Sequence, residues 1–141
     1  MFMQRDAPQS VRDALRSSGA VPEGVKVRTE IPDGWTTSQG MAVTVTSDGT
    51  PRHAIAASAE NIRINTYAKY QPEARELALR LDAYILDPRN PVGFFIEPGP
   101  GILCVRDADL GGWVCSTTVV ASAPKKEVRL SNDQSNTSSR N

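Results

Sequence analysis

A single strongly amphipathic helix near the middle of the chain constrains the fold more than any other feature. Pro72 suits its first turn, and Asp87-Pro88 ends it, because proline disfavours a helical residue before it. Its apolar residues follow the i, i+3, i+4, i+7 spacing of one helical face: Ala74, Leu77, Ala78, Leu81 and Ile85. A helix with one apolar face is stable only when a second layer covers that face.

Segments of alternating apolar and polar residues on both sides of this helix predict the strands of that second layer. Asp48-Gly49 predicts a hairpin turn after the strand Met41–Thr46, because glycine accepts a positive φ at little cost. A third strand is expected to be interrupted near Ala57–Ala59. The predicted strands are Val25–Ile31, Met41–Thr46, His53–Tyr67, Ile102–Arg106 and Trp113–Ala121.

The last two strands predict a hairpin whose turn lies at Asp107–Gly112. Centring that turn between Asp109 and Leu110 places Cys104 opposite Cys115 and Arg106 opposite Trp113, unless a bulge shifts the register. In a cytosolic protein both cysteines are expected to be thiols that pack as small core residues. A disulfide is the main alternative, and a structural zinc site is a more distant one.

A second, shorter helix precedes the strands, with Asp6 or Ala7 as its cap, Pro8 in its first turn and Gly19 after its end. The resulting order predicts an α+β fold, a mixed or antiparallel β-sheet of about five strands with two α-helices packed on one face. Residues 1–123 form one domain, and the polar segment 124–141 is expected to be a flexible tail. The sheet residues expected beneath the second helix are Val43, Val45, Ile62, Ile64, Cys115 and Val119.

Charge and hydropathy exclude several classes of function. The 141 residues carry 16 Lys plus Arg against 16 Asp plus Glu, so the basic excess of a sequence-independent nucleic-acid binder is missing. No apolar run approaches the roughly 20 residues that a membrane helix needs, and the N-terminus lacks a hydrophobic signal segment. The composition therefore predicts a soluble protein made in a cytosol.

The inventory of reactive side chains predicts no enzyme. The single histidine, His53, lies at the exit of a predicted turn, where a surface role is expected, and no Gly-x-Ser-x-Gly elbow is present. Asp107 and Asp109 suit a turn better than a cation site. The prolines of the segment 97–101 remove backbone donors that a phosphate cradle requires. No catalytic, cofactor-binding or metal-binding residue is therefore assigned.

Apolar residues in predicted loops are the one feature that points to function. Trp35 lies within a polar loop, and Phe94, Phe95 and Ile96 lie between Pro/Gly-rich stretches of the segment Pro88–Gly101. Such residues either fold back onto the core or serve as contact anchors. These four residues are the candidate protein interface.

The order of strands and helix also resembles a known family. The matching stretches are VKVRTEI (25–31), MAVTVT (41–46), SAENIRINTY (58–67), which runs directly into the helix QPEARELA (71–78), and the paired segment 102–122. Over about residues 8–123 the chain resembles the tail terminator, or tail completion, proteins of siphophages, especially those that infect actinobacteria. These motifs are patterns of alternation and spacing rather than single diagnostic residues.

The resemblance implies a structural virion protein of the phage tail and neck, assembled in the host cytoplasm. Such a protein caps the head-proximal end of the tail tube as a homo-oligomeric, hexameric ring and ends tail polymerisation. The implied partners are further copies of itself, the major tail tube protein and the head–tail connector or neck protein. DNA passes through the lumen without specific binding, and neither a membrane nor a cofactor is implied.

Three other interpretations stay open at the level of sequence. The first is a head-closure or neck connector protein of the same virion, which is similar in size and also forms rings. The second is a small enzyme that uses His53 or the cysteines. The third is a protein-binding adaptor unrelated to phages.

Overall fold

The structure, a computed structural model, describes residues 1–50, the backbone of Arg52–His53, and residues 57–129. Its helices are α1 (Ala7–Ser17) and α2 (Gln71–Leu86), and a short 3-10 turn spans Thr37–Gln39. Its strands are β1 (Phe2–Met3), β2 (Val27–Arg28), β3 (Ala42–Ser47), β4 (Arg52–His53), β5 (Ala57–Ala68), β6 (Phe95–Asp107), β7 (Gly112–Pro124) and β8 (Lys126–Glu127). None of the helices in the described ranges is long and apolar enough to cross a membrane.

The main sheet has the strand order β2-β3-β5-β7-β6, with the short β4 also paired to β5. The β2–β3 pair is parallel and the other pairs are antiparallel, so the sheet is mixed. Both helices pack on the same face of this sheet, α1 over β2 and β3 and α2 over β5, β6 and β7. The expected α+β fold, with a mixed sheet and two helices on one face, is confirmed.

The core lies between the helices and this face of the sheet. The apolar face of α2 is buried as expected, with Leu81 and Ile85 at 0% exposure. The Asp6 side chain accepts a hydrogen bond from the Gln9 backbone N–H at 3.0 Å and caps α1, whose apolar residues join the same core. All six sheet residues expected beneath the helix are buried: Val43, Val45, Ile62, Ile64, Cys115 and Val119.

Two expectations for the first half of the sheet were wrong. The strand expected over residues 25–31 is only β2, Val27–Arg28. Asp48-Gly49 does not close a tight hairpin, because the strand that pairs with β3 is β5, and the Asn61 N–H donates to the Gly49 carbonyl at 2.8 Å. The intervening chain contains β4, whose backbone pairs with β5.

The Pro/Gly-rich segment 95–101, expected to be a loop, is the first half of β6. A register shift between Pro98 and Gly101 inserts a bulge there, which accommodates two prolines within a strand at the edge of the sheet. Gly99 lies so close to β7 that a Cβ atom at this position would collide with the Thr118 carbonyl. Glycine is therefore required at the bulge for close approach of two backbones rather than for a turn.

The ends of the described chain pair with each other. β1 and β8 form a separate two-stranded antiparallel sheet, in which the Val128 N–H donates to the Met1 carbonyl at 2.8 Å. Residues 126–127 belong to the segment expected to be a flexible tail, so regular structure continues past Ala123. The rest of that segment, residues 130–141, lies outside the described residues.

Two buried threonines on the helix-covered face predict opposite effects of one substitution. Thr117 Oγ1 is buried and has no hydrogen-bond partner among the described residues, whereas the Thr66 hydroxyl donates to the Ala74 carbonyl at 2.7 Å. We expect Thr117→Val to raise the free energy of unfolding by about 1 kcal/mol, because it removes an unpaired buried hydroxyl. Thr66→Val should lower it by about 1 kcal/mol. Urea denaturation of both variants measures the difference, and equal changes of the same sign would contradict it.

Candidate protein interface

No helix of the described ranges covers the opposite face of the sheet, which we call the open face, although Trp35 packs on Tyr67 there. The four candidate interface residues differ in their exposure. Phe95 is 68% exposed on this open face. Phe94 and Ile96 instead pack against the core, and the Arg5 guanidinium lies 4.3 Å from the centre of the Phe94 ring. Trp35 is half-buried and meets the Tyr67 ring edge-on, with 6.3 Å between ring centres. The structure therefore leaves only Phe95 of the four fully available for contact.

Two exposed apolar residues on the open face were not singled out from the sequence. Leu103 and Val105 of β6 are 67% and 46% exposed. They alternate with Ile102 and Cys104, which pack against the buried cluster under α2. Strand alternation next to Cys104 was the available signal, since the residues flanking an inward-facing cysteine must face outward.

The middle of the open face is polar and internally hydrogen-bonded. The Ser116 hydroxyl donates to Asn65 Oδ1 at 2.6 Å, and Asn65 Nδ2 donates to the Thr44 hydroxyl at 3.3 Å. Arg63 pairs with Asp48 at 2.7 Å further along β5. These polar groups hydrogen-bond to one another. The exposed apolar residues of β6, at the margin of the face, are left in contact with solvent.

One edge of the sheet is closed by two arginines of α1. The Arg16 guanidinium donates to the Val27 carbonyl at 3.2 and 2.6 Å, which occupies the outward-facing acceptor of β2. Arg12, which is only 8% exposed, donates to the Val45 carbonyl at 2.9 Å just beyond the end of β2. Side-chain donors thus block strand addition at this edge.

The opposite edge, β6, has no such cover among the described residues. The Cα atoms of Cys104 and Cys115 are 4.0 Å apart, the short spacing of a non-hydrogen-bonded antiparallel pair. Leu103 and Val105 are therefore the residues that hydrogen-bond to β7. The backbone N–H and C=O groups of Ile102, Cys104 and Arg106 consequently point away from the sheet. β6 combines a free backbone edge with exposed apolar side chains.

The expected register of the β6–β7 hairpin is confirmed, with Cys104 opposite Cys115 and Arg106 opposite Trp113. The expectation of two thiols was wrong, because the structure joins the cysteines in a disulfide. The expectation considered the cellular compartment alone, whereas the direct cross-strand position brings the two sulfurs within bonding distance. The bond ties the edge strand β6 to the centre of the sheet.

The described ranges contain two carboxyl groups whose pKa departs from the ordinary value, those of Asp82 and Asp87. No group of three or more His, Cys, Asp and Glu residues there could hold a metal ion. Partial burial raises the pKa of Asp82 on α2. Hydrogen bonds from Arg89 lower the pKa of Asp87 to about 2. The same side-chain hydrogen bond to Asp87 raises the pKa of Arg89. The side chain of His53 lies outside the described residues.

The Asp87–Arg89 pair just beyond the C-terminus of α2 predicts a measurable titration. A pKa lowered from 3.8 to about 2 means that the contribution of Asp87 to stability is present above the ordinary carboxyl range. That contribution is lost as the pH falls towards 2. We expect Arg89→Gln to return the Asp87 pKa towards 3.8, as followed by carboxyl carbon NMR. An unchanged titration midpoint in the variant would contradict the assignment to Arg89.

Comparison with protein-family models found no matching family, and comparison with curated proteins found no matching relative. The candidate interface therefore has to be interpreted from its own geometry and chemistry.

Proposed function

We propose that this chain is a structural virion protein that caps the head-proximal end of a phage tail tube as a homo-oligomeric, hexameric ring. In this role it ends tube polymerisation and joins the tail to the head connector. The observation that carries the proposal is the surface of β6, a free strand edge flanked by exposed Phe95, Leu103 and Val105. Exposed apolar side chains beside an unprotected edge are typical of a surface that another protein covers.

Three features of the chain support an assembly role. The apolar groups on the open face lie at its margin, where a neighbouring molecule can reach them without disrupting the hydrogen bonds of Asn65. The disulfide between Cys104 and Cys115 fixes the strand that carries Leu103 and Val105, so less conformational entropy is lost when a partner binds. A net charge of zero suits a ring through which DNA must slide rather than adhere.

Native mass spectrometry and electron microscopy of the protein, alone, with the tail-tube protein and with the portal complex of the same virus, test this proposal. We expect rings of about six subunits on tube ends and tubes that stop lengthening when the protein is added. Leu103→Lys should abolish capping, because it places a charge in the contact. Leu79→Lys is the matched control, since Leu79 is also an exposed leucine (47%) but lies on α2, on the opposite side of the sheet from Leu103.

The rival interpretations give different results in the same experiment. A head-closure or neck connector protein would bind the portal complex and leave tube lengthening unchanged. An adaptor unrelated to phages would bind neither the tube nor the portal complex. Either outcome would contradict the proposed function.

A further inference from the structure

We infer that, in the absence of a tube, two copies of this chain pair through their β6 edges as a twofold dimer. The inference goes beyond the proposed function and does not depend on it, because it concerns what covers β6 when the chain is free in solution. A second copy is the occupant that the geometry of this strand fits best.

The two edges of the sheet differ in what they can accept. Arg12 and Arg16 occupy the outward carbonyls of Val45 and Val27, so β6 of one copy cannot extend the sheet of another at that edge. Apart from β6, the strand edges left open in the described ranges belong to elements of two residues, β1, β4 and β8. The longest open edge available to β6 in another copy is therefore β6 itself.

Proline and the turn set the length of strand that can pair. Pro98 and Pro100 interrupt β6 on one side through the bulge, and the turn after Asp107 ends it on the other. Between them, Ile102, Cys104 and Arg106 each direct one N–H and one C=O outward. An antiparallel pair centred on Cys104 joins all of these groups to those of a second copy.

This register is also complementary in its side chains. Centring on Cys104 places Leu103 opposite Val105 of the second copy, and Val105 opposite Leu103, on the open face. These are non-hydrogen-bonded positions, where facing side chains are closest, and the four apolar groups exclude water from one another. On the helix-covered face Arg106 lies opposite Ile102 of the second copy. A centre at Arg106 would instead bring two guanidinium groups together.

Twofold pairing differs from the contact that a closed ring requires. A ring joins two different patches, whereas this contact joins one patch to itself. The dimer therefore covers the same Leu103 and Val105 that the proposed capping function uses. A chain that caps tubes as proposed would therefore have to leave the dimer first, and in the free chain the dimer keeps an aggregation-prone edge covered.

Paired charge substitutions at positions 103 and 105 test the register. In Leu103→Lys/Val105→Lys, like charges face each other across the twofold axis, and the dimer dissociation constant should rise roughly a hundredfold or more. In Leu103→Lys/Val105→Glu, each introduced lysine faces an introduced glutamate, so dimerisation should be largely restored and should weaken with added salt. Sedimentation equilibrium measures both, with Leu79→Lys as the control and circular dichroism to verify folding.

Each outcome decides the inference separately from the proposed function. A wild-type dimer that is lost in the first variant and restored in the second supports twofold pairing, whatever the tube experiment shows. A wild-type monomer, or a ring that forms without a dimer, overturns the inference and leaves the capping proposal to its own test. Equal loss of the dimer in both variants overturns the register and therefore the inference.

Discussion

We expect Leu81→Ala to lower the free energy of unfolding by about 2–5 kcal/mol, because it removes a buried side chain from the contact between α2 and the sheet. Leu81 is 0% exposed and lies within the main core cluster with Val45, Ile64 and Val119. The substitution loses the transfer free energy of the missing carbons and leaves a cavity that the rigid sheet cannot collapse to fill. Urea denaturation monitored by circular dichroism measures the loss.

Leu79→Ala is the matched control for that experiment. Leu79 lies on the same helix but is 47% exposed, so its substitution is expected to change the free energy of unfolding by about 0.5 kcal/mol or less. A similar loss in both variants would show that the effect comes from helix propensity or the unfolded chain rather than from the core. That result would contradict the assignment of α2 to the covering layer.

Reduction of the Cys104–Cys115 bond is expected to lower the free energy of unfolding by about 3 kcal/mol, since a short closed loop restricts the unfolded chain. The two residues are 11 positions apart, which places the expected effect near that of a loop of roughly 15 residues. Urea denaturation with and without reductant measures the change. Titration of thiols in the unfolded, unreduced protein should detect none.

The double variant Cys104→Ala/Cys115→Ala supplies the control for reduction. Its stability should resemble that of the reduced wild type and should not respond to reductant. A wild-type protein that unfolds identically with and without reductant would show that the bond does not stabilise this hairpin. Two titratable thiols in the unreduced protein would show that the bond is absent.

Buried residues could be predicted from the sequence where they recur at a short and regular spacing along a helix or strand. The buried face of α2 and the inward residues of β3, β5 and β7 followed from spacing alone, because each element faces one continuous apolar layer. The β6–β7 register followed from the position of its turn. The same reasoning failed for residues 95–101, since the prolines and glycines that normally mark a loop are here accommodated by a bulge in an edge strand.

The candidate interface was only partly accessible from sequence. The predicted loop aromatics included Phe94 and Phe95, but Phe94 lies just before β6 and packs against the core, whereas Phe95, the first residue of β6, is exposed. The sequence places Leu103 and Val105 in a predicted strand without indicating their exposure, because no local signal shows whether a strand lies at the edge of a sheet. The closure of the other edge by Arg12 and Arg16 depends on contacts between distant elements.

The sequence by itself determined the fold class of this protein, the faces that its helix and central strands bury, and the pairing of its two cysteine positions. These properties depend on periodicity and on a single local turn, both of which are encoded within a few neighbouring residues. Only the tertiary structure decided which strands form the edges, which edge is closed, and which apolar residues are left in contact with water. Those properties depend on the order of strands in space, which brings together residues far apart along the chain.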